Sequence, residues 1–265
     1  MKTKFDKIYV LSLITEHTRR KFIESQFNNL GIEFEFLYGT DFYNLNCDAR
    51  NNKINYPNVW EPGWFDDKPD KSKDYGCTLS HYNAILFAYE LGYNNVLVIE
   101  DDVCFIKDTK LIFECFNNIP NDADYVTWDP RFVNLEDYKL YKSFIEDKTL
   151  YTDITGKLTD HLMAGGLMYG IMNRKTMKEY LNNQRASLKM SDQVNGFNSN
   201  NKNIKKYVCN KCICTELISL LINFEYDKNN WHFAHRNIYS FDNKLDKTMF
   251  YDPDFENNKY EIFTH

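Results

Sequence analysis

The chain has 265 residues, 43% of them hydrophobic, which argues against disorder and leaves room for one large domain or two small ones. The formal net charge is -6 and no dense Lys/Arg block occurs, which argues against nucleic acid as the main partner. Seven cysteines and an N-terminus without the long apolar run of a leader point to reduced thiols, a cytoplasmic setting and no membrane span.

The elements follow in chain order. "KIYVLSL", Lys7 to Leu13, is an apolar, β-branched run of strand length. A helix follows, with Thr15 or Thr18 as its cap, an apolar face of Phe22, Ile23, Phe27 and Leu30, and Gly31 as its stop. "IEFEFLYGTD" reads as a second strand, giving the opening of an α/β sheet. Asn44 to Asp74 is polar and punctuated by Pro57, Pro62 and Pro69, and reads as a long loop or flap. Its Trp60 and Trp64, with Tyr75, suit the apolar faces of an acceptor sugar as well as a small loop core. "CTLSHYNAILFAYELGY" is the next helix, ended by Gly92. "NVLVIEDDV" is then a strand, "TKLIFECFNNIP" a helix stopped by Pro120, and "ADYVTWD" another strand.

Beyond this point the pattern loosens. Phe132 to Asp160 is expected to be irregular, "MAGGLMYGIM" to form a strand pair or glycine-rich turn, and "NRKTMKEYLNN" a short helix. Asn195 to Lys206, nearly all Asn, Lys and Gly, reads as a solvated loop. "CTELISLLINFE" suits a helix or a strand. No repeat or clean linker appears, so one domain over residues 1–265 is expected.

The chemistry concentrates in "VLVIEDDVCF", where Glu100, Asp101 and Asp102 follow four apolar residues. Such a strand suits the centre of a parallel sheet, and ligands in open α/β sheets bind beyond the carboxyl ends of the strands. Alternation puts Glu100 and Asp102 on one side and Asp101 on the other. Carboxylates this close repel unless a cation joins them, and a hard divalent ion, Mg²⁺ or Mn²⁺, suits oxygen ligands. The same triplet also suits a solvated loop start or the charged first turn of a helix.

"IYVLSL…HTRRKFIESQFNNLGIEFEFLYGTD" followed by "YGCTLSHYNAILFAYELGYNNVLVIEDDV" resembles the glycosyltransferase family 25 pattern. Its parts are a first strand, Arg19–Arg20, the Gly76–His81 helix start and a strand ending in Glu100–Asp102. The resemblance implies an α/β fold of the GT-A type, with a mostly parallel central sheet flanked by helices. Residues 1–130 would form its nucleotide-sugar-binding half and 131–265 a loop-rich acceptor side. It further implies a UDP-sugar donor, galactose or glucose as the sugar, a glycan or hydroxylated protein as acceptor, and inversion at the sugar carbon. A metal ion, Mn²⁺ or Mg²⁺, would be held by Glu100 and Asp102, and His235 would complete its site. Leu11, Ser12, Arg19, Arg20, Ser80, His81 and Asp101 would surround the donor. Inversion requires a base; Asp192 is the candidate and Asp129, at the end of a strand, its rival.

Other readings stay open. Asp192 also suits a helix N-cap with Ser191, and Ser80 suits structural support. Cys209, Cys212 and Cys214 with His232 and His235 invite a structural zinc, and thus a zinc-stabilised interaction protein. A metal-dependent phosphohydrolase, or a non-catalytic nucleotide- or carbohydrate-binding module that keeps the fold, are further alternatives.

Overall fold

A computed structural model describes residues 2–39, 71–128, 130–132, 143, 149–156, 162–164, 167–186, 203–216 and 247–251. For 71–75, 130–132, 162–164, 185–186, 216 and 247 the description covers the backbone alone. The elements in chain order are β1 (Lys7–Ser12), α1 (His17–Leu30), β2 (Glu35–Tyr38), α2 (Lys71–Glu90), β3 (Val96–Glu100) and β4 (Val103–Phe105). There follow α3 (Thr109–Asn117), β5 (Tyr125–Thr127), β6 (Pro130–Phe132), β7 (Tyr151–Asp153), β8 (Leu162–Ala164) and β9 (Met168–Ile171). The last are α4 (Arg174–Ala186), β10 (Lys206–Cys209), β11 (Cys214–Glu216) and a 3-10 turn, Lys247–Met249.

Seven strands form the central sheet in the order β2-β1-β3-β9-β5-β10-β7. β1 runs parallel to β2 and β3, β10 runs parallel to β5, and only β9 and β7 are reversed. This is the mostly parallel sheet flanked by helices that the sequence implied, and it is compatible with a GT-A-like fold. Strands from both sides of residue 130 interleave, since β9 lies between β3 and β5. β4 pairs antiparallel with β11, and β6 with β8, in two small ribbons.

The sheet is covered on both faces, which is why β1 and β3 read as unbroken apolar runs. Period-two alternation divides their side chains. Ile8, Val10, Leu97 and Ile99 enter one core with Phe22, Ile23 and Phe27 of α1 and Ile112 and Phe116 of α3. Tyr9, Leu11, Val96 and Val98 enter the other with Ala84, Ile85 and Ala88 of α2 and Met177 and Tyr180 of α4. Each such Val, Leu, Ile, Met or Phe side chain stabilises the fold by roughly 1.5–3 kcal/mol relative to exposure.

Gly31 stops α1 as expected: it sits at φ 62, the left-handed conformation, and its N–H bonds to the Asn28 carbonyl. The start differs, because the N-cap position is Glu16, without a side-chain cap, and neither threonine fills it. The polar stretch expected as a loop through Asp74 gives way at Lys71, where α2 begins. β3 ends at Glu100, and Asp101 and Asp102 form a turn into β4, so the expected single strand is two. "MAGGLMYGIM" carries the end of β8 and all of β9, but the two do not pair with each other: β8 joins β6 and β9 enters the central sheet, and the short helix after them is α4. The region expected to be irregular holds β7, and the stretch expected as solvated loop ends in β10, an interior strand. Among the described residues no helix is long and apolar enough to cross a membrane.

Candidate active site

The carboxyl ends of the parallel neighbours β2, β1 and β3 share one rim of the sheet, and the acidic turn lies there. Leu11 pairs in register with Glu100, and Ser12 with Tyr38, so the ends of the three strands lie side by side. Continuing the alternation of β3, Glu100 follows Val96 and Val98 toward α2, and Asp101 follows Leu97 and Ile99 toward α1. The partners confirm this. Glu100 meets His81 of α2, with Nε2 and Oε1 2.9 Å apart, and Asp101 accepts a bond from Arg19 Nη1 of α1 at 3.1 Å.

Asp101 is 5% exposed. Burial pushes its carboxyl above the usual range, against the opposing pull of the Arg19 guanidinium and the Ser12 hydroxyl. Burial would lower the Arg19 pKa, but the charges of Asp102 and Asp101 outweigh it and hold the guanidinium above its ordinary value. Arg19 thus binds the turn through Asp101, and the charge of Asp102 acts on it where the strand alternation has ended.

Arg20 does different work. Its guanidinium donates to the Leu13 and Ile14 carbonyls, lies 3.4 Å from Ser12 Oγ and 2.8 Å from His17 Nδ1, and sits over the Tyr38 ring at 5.4 Å. It therefore shapes the turn between β1 and α1 and leaves the exposed Tyr38 ring at the rim. Ser80 donates to the Gly76 carbonyl of its own helix at 2.6 Å. His81 is fully buried; its Nδ1 is 3.0 Å from the Tyr169 hydroxyl of β9, and the two rings stack at 5.6 Å.

Two side chains at this rim escaped the sequence reading. Cys77 is exposed, with Sγ 3.8 Å from Glu100 Oε1, and Cys77, His81 and Glu100 bring one donor atom each within 4.8 Å of one another. Its spacing of four from His81 on a helix was the available signal. Gln26 of α1 is fully buried and spans β4: its Nε2 donates to the Val103 carbonyl at 3.0 Å and its Oε1 accepts from the Phe105 N–H at 2.7 Å. A glutamine on an otherwise apolar helix face marked it.

Asp129, Asp192, Trp60, Trp64, His232 and His235 lie outside the described residues, as does the side chain of Tyr75. Of the thiols considered for zinc, Cys209 contacts Cys115 Sγ at 3.5 Å, Cys212 the Cys214 carbonyl and Cys214 the Trp128 carbonyl, while the two histidines of that reading are among the residues not described. Among the described residues these thiols form no group of three metal donors.

Residues 5–163 match glycosyltransferase family 25 (LPS biosynthesis protein). A putative glycosyltransferase of Haemophilus influenzae is 28% identical over 152 residues, 54% of this chain and 48% of that protein. Glycosyltransferase 25 family members of Drosophila pseudoobscura pseudoobscura and Drosophila melanogaster are each 28% identical, over 39% of this chain and 17% of their own length. The chain thus matches about half of the bacterial relative and a smaller share of the insect ones. With the family match covering more than half of its residues and its motifs assembled on one rim, the chain belongs to glycosyltransferase family 25.

Proposed function

We propose that the protein is a metal-dependent, inverting glycosyltransferase that moves a hexose, galactose or glucose, from a UDP-sugar to a glycan or hydroxylated protein. The observation that carries this reading is the acidic turn at the end of β3, anchored on one face by His81 and on the other by Arg19. Residues 1–130 hold the donor, and the acceptor side is built from 131–265.

The donor set suits Mn²⁺ or Mg²⁺: Glu100 and Asp102 offer carboxylate oxygens and are both half-buried at the rim. When bound, such an ion stabilises the charge that gathers on the departing diphosphate. Glu100 and Asp102 hold it, with His235 as the late ligand, while His81 orients Glu100. Arg19 pins Asp101 and keeps the turn from splaying under its own repulsion. Leu11, Ser12 and Arg20 form the floor beneath the nucleotide, and Ser80 supports the start of the helix beside it. Asp192, with Asp129 as rival, takes the proton of the acceptor hydroxyl from the face opposite the diphosphate, which one-step inversion requires.

A panel of nucleotide sugars, assayed for free nucleotide release with Mn²⁺ and with chelator, tests the reading. Metal-dependent release with a UDP-hexose is expected, and Asp102→Asn should lower it about 100-fold. Full activity in Asp102→Asn across the panel overturns the metal assignment. Asp192→Asn should cut turnover while donor affinity stays; unchanged turnover moves the base to Asp129.

A further inference from the structure

Cys77 and His81 stand four residues apart on α2, so their side chains rise from one face of the helix a turn apart. The alternation of β3 turns Glu100 toward that same face. Three unlike donors meet there: a thiol, an imidazole and a carboxylate. Cys77 Sγ is 3.8 Å and His81 Nε2 is 2.9 Å from Glu100 Oε1, and all three atoms lie within 4.8 Å of one another.

In a tetrahedral complex with ligand bonds of 2.0–2.3 Å, donor atoms stand roughly 3.4–3.6 Å apart. The His81–Glu100 pair must open by about half an ångström and Cys77 must close by up to about one, for such bond lengths. Rotation about χ1 of an exposed cysteine supplies the second movement. The other imidazole nitrogen is already fixed: Nδ1 faces the Tyr169 hydroxyl at 3.0 Å, which can accept its proton and aim the Nε2 lone pair at a cation. A metal-binding histidine commonly has such an outer partner.

We infer that Cys77, His81 and Glu100 form a three-ligand seat for a borderline-soft divalent cation of the zinc or cobalt(II) type. Its fourth position opens to solvent on the Cys77 side. Thiolate and imidazole select against Mg²⁺ and Mn²⁺, which prefer oxygen donors, so this seat differs in kind from the carboxylate seat for the diphosphate cation. The two share Glu100, but the softer seat stands whether or not the chain transfers sugar.

The test uses the full chain stripped with chelator and titrated with Co²⁺. A thiolate-to-cobalt charge-transfer band in the near ultraviolet is expected, displaced by one equivalent of Zn²⁺. Cys77→Ser should abolish the band and weaken Zn²⁺ binding at least tenfold, with circular dichroism showing that the fold persists. A band that survives in Cys77→Ser comes from other thiols and overturns the assignment. A second measurement needs no variant: Zn²⁺ should slow iodoacetamide alkylation of Cys77 at least tenfold, read by peptide mass spectrometry, and chelator should restore it. An unchanged rate overturns the proposal. Asp102→Asn should keep the cobalt band while disabling the diphosphate cation, so the two readings fail separately; loss of the band there overturns this ligand set.

Discussion

The two sides of the central sheet treat buried ionisable groups in opposite ways. On the β2-β1-β3 side, Asp101 meets Arg19 and Glu100 meets His81, each partner supplied by a helix packed on that face. On the β5-β10-β7 side, Lys206 is fully buried within β10, and burial, only partly offset by Glu179, pushes its pKa down to about 8. Nearby, Cys115 and Cys209 touch at 3.5 Å, and the Tyr151 hydroxyl donates to the Cys115 carbonyl while accepting from Trp128 Nε1. The contact with Cys209, and after it burial, drives the Cys115 thiol far above its ordinary value, and burial does the same to the Tyr151 hydroxyl. Those groups are inert at neutral pH. Charge is compensated at the rim by partners from the packed helices, whereas on the far side burial disfavours it without fully removing it, since Lys206 still carries its proton below about pH 8.

The largest expected effect comes from breaking the compensation. Arg19→Ala leaves Asp101 buried without its cation and should cost about 3–5 kcal/mol at pH 7 in urea unfolding. The pH dependence gives the sign. Burial already raises the folded pKa of Asp101, and Arg19 is what opposes that rise. Without Arg19 the folded pKa climbs further, so the penalty is full above it and shrinks as acid protonates the carboxyl. A deficit as large at pH 4 as at pH 7 places the effect in lost packing.

The far side makes the converse test. The folded pKa of Lys206 lies below its unfolded value of 10.5, so stability from this group is present above pH 10.5 and is lost as pH falls through about 8. The shift from 10.5 to about 8 corresponds to on the order of 3 kcal/mol. Lys206→Met removes the ionisation, so the gain in unfolding free energy between pH 8 and 10.5 seen in the natural chain should vanish. Parallel curves for the two proteins exclude the buried charge.

Gln26→Leu comes next. It strips partners from the Phe105 N–H and the Val103 carbonyl, which β4 presents just after the acidic turn. Unfolding should become easier by about 2–3 kcal/mol. Hydrogen exchange should accelerate most at Phe105; protection unchanged there means that β4 is held by β11 alone.

The same contrast explains what the sequence made legible. β1, α1, β2, α2 and β3 each carry a periodic signal, and neighbours in the chain pair in the sheet. The far side is assembled from strands of three or four residues drawn from distant segments. Three residues are too few to show alternation, and Lys205 with Lys206 imitates a solvated loop although Lys206 is fully enclosed. At the rim, the opposite facing of Glu100 and Asp101 followed from strand alternation. The turn at Asp101–Asp102 did not, because nothing in "EDDV" marks where pairing stops. Tyr169 gave no signal either, since its place beside His81 depends on β9 entering between β3 and β5.

The smallest expected effect concerns how closely α2 approaches the rim. A Cβ on Gly39 would stand 2.9 Å from Ser80 Oγ and 3.4 Å from Leu13 Cδ2. Ser80 Oγ has little freedom to retreat, because it is held to the Gly76 carbonyl at 2.6 Å. Gly39→Ala should therefore cost about 1–2 kcal/mol through overpacking. Ser80→Ala alone should cost less than about 1 kcal/mol, since a hydroxyl bonded back to its own helix adds little. Combined, the two should cost less than their sum, because removing Oγ leaves Ser80 Cβ at 3.6 Å, an ordinary contact. That negative coupling in a double-mutant cycle measures how tightly α2, and with it Cys77 and His81, is pressed against the end of β2. Simple additivity would mean that the helix start yields, and that the His81–Glu100 contact is fixed by β9 alone.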